Sequence, residues 1–229
     1  MLRFKLKGGS MFYDCPTQLD YVNIHALNRE FVKLLRDQPD QFGQDKLQTS
    51  RLSALGRLEL ERLASTPFLL LSIQEQNVAA WRAICSADPN TDLFESGGPH
   101  DPAAANLLAA TAGFLWQLAQ QNPYTVRLIC GASPAWCEMI TAMTYFELVT
   151  SIQHCSDLLI MRQAPNTDIW SKLLVDGVHA DRHVRSAAHI AALQMLLTAY
   201  PGQAATQWPV AACATRQQHL RVADEPRKR

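Results

Sequence analysis

Apolar residues along this chain recur mostly at three- and four-residue steps, the period of amphipathic helices. From Tyr21 the positions Ile24, Leu27, Phe31, Leu34 and Leu35 form one stripe, and Pro39 ends the helix they predict. Residues 1–20 lack the period and read as irregular. A second short helix is expected after Ser50, whose hydroxyl can cap it, carrying Leu52 and Leu55. The chain then restarts at Gly56-Arg-Leu-Glu59 with Leu58, Leu60 and Leu63, and Thr66-Pro67 closes that element. Residues 103–121 predict a long buried helix. Residues 179–200 predict a last one, with Ile190, Leu193, Leu196, Leu197 and Tyr200 on a common face and Pro201-Gly202 as its stop. Two apolar stretches, Pro67 to Ile73 and Leu158 to Met161, are too short for periodicity to choose between strand and buried helical turn. Each leads through a polar turn, Gln74–Asn77 or Gln163–Asp168, into a short helix bearing Trp81 or Trp170, which is expected to plug the core of its own unit.

The pattern is written twice. Shifting the chain by about 88 positions lays Leu52, Leu55, Leu60 and Trp81 over Ile140, Met143, Leu148 and Trp170, Gly56 over Thr144, and Glu59 over Glu147. Upstream a shift of about 83 lays Phe31–Leu35 over Phe114–Leu118, Pro39 near Pro123 and Ser50 over Ser133. Thr144-Tyr-Phe-Glu147 is a capping box, Gly56-Arg-Leu-Glu59 keeps its carboxylate, and Ser133-Pro134 is a cap followed by proline at the first helical position. A repeat at this spacing implies one supersecondary unit used twice. The end of the last predicted helix, LLTAYP, resembles LAQQNP and LLRDQP at the ends of the two opening helices, as a partial third copy would.

The expected organisation is an irregular segment at 1–20, unit 1 at 21–85, an acidic Pro/Gly linker at 86–102, unit 2 at 103–177, a C-terminal capping helix at 178–202 and a basic, disordered tail at 203–229. The linker carries four acids, three prolines, two glycines and no lysine or arginine, a composition that separates packed units. Hydrophobic residues at 48% and charged residues at 18% are those of a chain that folds. Net charge is zero, but residues 103–177 hold 3 basic against 5 acidic residues, which makes unit 2 a poor match for phosphate. Any DNA contact is therefore expected from unit 1, the basic tail or a partner.

Six cysteines without CxxC spacing read as scattered thiols of a reducing cytoplasm, neither a zinc site nor a disulfide framework. The positive N-terminus has no apolar core of signal-peptide length behind it. The most apolar run, Ala103 to Ala119, is shorter than the ~20 residues of a bilayer span.

The order of opening helix, small-residue turn, Leu52-Ser-Ala-Leu55-Gly56-Arg-Leu-Glu59-Leu60-Glu-Arg-Leu63-Ala64 and apolar stretch resembles FlhD, the smaller subunit of the bacterial flagellar master transcription regulator. In the second unit the matching residues are Arg127 to Ser133 and Ile140-Thr-Ala-Met143-Thr144-Tyr-Phe-Glu147-Leu148. The likeness covers about residues 21–75 and 105–162. It implies an all-α fold of two tandem FlhD-like units packed as a pseudo-dimer, and transcription regulation together with a partner subunit that supplies much of the DNA contact and a cysteine-bound zinc. The low basic charge and the absence of a zinc cysteine cluster depart from that picture, so DNA binding by this chain is expected to be indirect; homo-oligomers are compatible with it.

Candidate chemistry is sparse. Arg51, Arg57 and Arg62 surround the restart helix of unit 1, where a short helix–turn–helix layout could present them to DNA phosphates. Glu59 and Glu61 offset them, and a solvated face is the simpler reading. His179 and His183 are spaced like metal ligands on a helix, but a third ligand is missing, and His189 falls elsewhere on the wheel. Cys130 and Cys137 flank a Ser-Pro cap and read as core thiols. No G-x-S-x-G, Cys/His or glycine-rich phosphate motif occurs. The sequence thus predicts a non-enzymatic regulator without cofactor or metal, or alternatively an adaptor or assembly scaffold without DNA binding.

Overall fold

Helix starts here are set by side chains that satisfy the first free backbone N–H groups. The computed structural model describes residues 16–42, 46–86, 101–153, 155–163 and 169–198. Helix α1 (Gln18–Asp37) begins earlier than Tyr21, because Thr17 and Asp20 form a reciprocal box. The Asp20 amide donates to Thr17 Oγ1 at 3.2 Å, and the Thr17 amide donates to the Asp20 carboxylate at 2.7 Å. A 3₁₀ turn at Pro39–Phe42 follows.

Helix α2 (Lys46–Ala54) encloses Ser50, which is therefore interior and not a cap. Of its apolar residues only Leu52 is buried, so its stripe was too narrow to mark its start. Helix α3 (Arg57–Ala64) restarts as expected, with the Gly56 amide donating to Glu59 at 2.8 Å. The strand β1 (Leu71–Ser72) leads to α4 (Val78–Ser86), which carries Trp81.

The second half runs in a similar order, with helix α6 where the first half has a 3₁₀ turn and α10 added at the end. Asp101 caps α5 (Pro102–Gln121), and Asn122 caps α6 (Pro123–Cys130), which ends at Gly131 with φ 74°, a left-handed C-cap suited to glycine. Ser133 caps α7 (Pro134–Thr141), and Thr144 with Glu147 boxes α8 (Tyr145–Ile152). A 3₁₀ turn at Ser156–Leu158 precedes β2 (Ile160–Met161), followed by α9 (Ile169–Val175) and α10 (Arg182–Thr198).

The two short apolar stretches resolve as strands that pair with each other. β1 and β2 run antiparallel, with Leu71 opposite Met161 and Ser72 opposite Ile160. Apart from this bridge the described residues are mostly helical, as the periodicity predicted. α5 touches α1, α6, α7 and α8; α1 also packs on α2 and α3. α4 lies against α7 and α8, and α9 lies against α2 and α10. One continuous buried cluster runs from Ile24 to Leu196.

Trp81 is fully buried, but it does not plug only its own unit. Its ring meets Trp136 of α7 edge-on, with centroids 5.4 Å apart and planes at 85°. Leu196 of the expected face of the last helix is buried and Leu193 packs against the core, but the buried stripe also takes in residues outside that face. Ala188, His189, Ala192 and Leu196 are buried, whereas Ile190 is exposed. The small alanines let the helix approach closely, and His189 Nε2 finds the Gly177 carbonyl at 3.1 Å. Asn28 fastens α1 to the segment after α3. Its amide donates to Thr66 Oγ1 at 3.0 Å and to the Phe68 carbonyl at 2.9 Å, and its Oδ1 accepts from the Leu70 amide at 2.8 Å.

The expectations for residues 1–15, for linker residues 87–100, for the turn at 164–168, and for the stop at Pro201-Gly202 and the tail lie outside the described residues.

Candidate functional site

The strand pair brings one charged constellation together. Arg162 follows β2 and occupies the place that Ile73 holds after β1. The Trp81 indole donates to the Ile73 carbonyl at 3.0 Å, and the Trp170 indole donates to the Arg162 carbonyl at 2.7 Å, each spanning eight residues. Arg162 turns inward. Its Nε donates to the Leu69 carbonyl at 2.6 Å, its Nη2 to the Leu71 carbonyl at 2.7 Å, and its Nη1 to Glu75 Oε1 at 2.5 Å and to the Cys130 carbonyl.

Glu75 is fully buried, and its other oxygen accepts from Ser72 Oγ at 2.8 Å and from the Ile73 amide at 3.0 Å. Burying such a pair is tolerable because nearly every donor and acceptor is matched. Next to it Gln74 adopts φ 55°, held by a bond from its amide to Ser72 Oγ at 3.0 Å. A cavity of about 210 Å³ lies between this turn, Gly131 and Leu196. Because the guanidinium and carboxylate are spent on neighbours, the arrangement clamps the strand bridge to the end of α6 and leaves no free acid or base for chemistry.

The four described thiols are held toward the protonated form. Burial holds Cys130 well above the usual thiol range and pushes Cys137 up to about 12, while burial also raises Cys85 and Cys155. A nucleophilic or metal-binding cysteine needs the thiolate, which these surroundings oppose. Cys85 points its thiol at the Met143 sulfur, 3.3 Å away.

The three arginines differ in exposure. Arg57 is exposed, whereas Arg51 and Arg62 are half-buried. Arg62 is engaged across the molecule, donating to the Val178 carbonyl at 3.2 Å. Being five residues apart on α3, Arg57 and Arg62 point about 140° apart around the helix. His179 lies before α10 and accepts the Asp181 amide at 3.0 Å, so it shares no helical face with His183. Among the described residues no cluster of three or more metal-ligating side chains forms.

What sequence reasoning passed over is an aromatic surface on unit 2. Tyr145 is 52% exposed and Phe146 79% exposed, at the start of α8. The Tyr145 ring lies against half-buried Trp116 of α5 with centroids 5.8 Å apart. Gly113 makes room for it, since a Cβ there would stand 2.9 Å from the tyrosine ring. Leu58, 71% exposed, holds the position of Phe146 in unit 1. The apolar pattern sets Leu58 beside Leu60 and Leu63, and only burial separates them: Leu63 lies in the core and Leu58 faces out.

No helix among the described residues is long and apolar enough to cross a membrane. No family model matches the chain, and neither a curated relative nor a solved structure matches it.

Proposed function

We propose that this chain is a non-enzymatic regulatory protein, made of two FlhD-like units packed as a pseudo-dimer with α10 as a cap, that acts in transcription control through a protein partner. The observation that carries the reading is reciprocity between corresponding elements. β1 pairs antiparallel with β2, α4 packs on α7 while α9 packs on α2, and both tryptophans reach back to a carbonyl eight residues upstream. Such exchanged contacts are what a twofold dimer makes when its subunits are joined in one chain. The fully engaged Glu75–Arg162 pair and the raised pKa values of the four described thiols support a binding role over a catalytic one. The engagement of Arg62 with the Val178 carbonyl supports indirect DNA contact.

A second reading, an adaptor or scaffold without a nucleic-acid role, is favoured by one observation. Among the described residues, the most exposed large apolar side chains sit at matched places, Leu58 and Phe146, on the helices that a DNA-reading module would present. The test is purification of the chain from its native cells, identification of a stoichiometric partner, and gel shift on genomic fragments at low salt with and without it. A shifted ternary complex supports the regulator. A partner with no shift leaves the adaptor, and neither partner nor shift refutes both.

A further inference from the structure

We draw no further inference here: the strongest candidate, the cavity of about 210 Å³ between the turn at 72–77, Gly131 and Leu196, belongs to the site already described, where the buried Glu75 and Arg162 side chains are spent on each other and on neighbouring groups, and nothing in the structure shows what occupies it.

Discussion

Replacing Arg162 by methionine removes the cation beneath the strand bridge while keeping an unbranched side chain of similar length. Four contacts disappear together: those to the carbonyls of Leu69, Leu71 and Cys130, and the ion pair with Glu75. The ion pair dominates the cost. Glu75 is fully buried, and removal of one partner of a buried pair costs about 3–5 kcal/mol because the other charge is left uncompensated. For a chain of this size that corresponds to a fall in melting temperature of about 6–20 °C.

Urea unfolding followed by tryptophan fluorescence and by far-ultraviolet circular dichroism measures it. The double variant Glu75→Leu with Arg162→Met removes both charges and should recover part of the loss, giving a favourable coupling in a double-mutant cycle. Should Arg162→Met cost under about 1 kcal/mol, or the double variant be no better than the sum of the singles, the clamp argument is wrong.

Other outcomes follow from the same geometry. Burial first and Arg29 second lower the His25 pKa; burial first, with Arg185 and His25 adding to it against the Gly177 carbonyl, lowers that of His189. Both rings are favoured neutral in the fold, so their contribution is full above about pH 6.5 and is lost as pH falls through that value toward the depressed folded pKa. Urea midpoints at pH 7.5 and 5.5 should show the drop, and His189→Gln should flatten it. The buried thiols act at the other end: with Cys130 and Cys137 raised, stability should fall as pH climbs past about 8.5, and Cys137→Ala should blunt that fall. Gly177→Ala would place a Cβ 2.6 Å from the Leu173 carbonyl, a backbone atom that cannot step aside, and should destabilise the α9–α10 turn by about 1–3 kcal/mol in thermal unfolding.

Three helix starts are legible because capping is local, although Thr17 and Asp20 box an earlier start for α1 and Ser50 caps nothing. Thr144, Ser133 and Gly56 with Glu59 each act within one turn, and each is seen as read. The face of α10 is legible at Leu193 and Leu196 but not toward its start, where the alanines that let it pack closely carry little hydrophobic signal and Ile190, a strong one, faces out. The strand bridge escaped periodicity because its partner strand lies far along the chain, and pairing of two-residue strands leaves no pattern. The Glu75–Arg162 clamp spans 87 residues and was read only as two more charges. One cue existed, an arginine where the other copy has a buried isoleucine. The aromatic face escaped for the opposite reason. Exposed apolar residues interrupt a stripe and look like noise until burial is known.

The two tryptophans that meet between the units test whether a hydrogen bond or shape holds that contact. Trp81 donates its indole N–H to the Ile73 carbonyl, whereas Trp136 Nε1 is buried without an acceptor among the described residues. Trp136 meets the neighbouring ring at 85°, an edge-to-face arrangement in which ring packing, not hydrogen bonding, supplies the attraction. Trp81→Phe therefore strands a buried carbonyl and also loses volume, and should cost about 2–4 kcal/mol. Trp136→Phe loses similar volume but also removes an unmatched buried donor, which returns about 1–3 kcal/mol and leaves a smaller net loss. Chemical denaturation of both variants, followed by circular dichroism, compares them directly. A larger loss for Trp136→Phe than for Trp81→Phe would mean that indole shape at the crossing of α4 and α7 outweighs the bond to Ile73, and the account of how Trp81 is held would have to be abandoned.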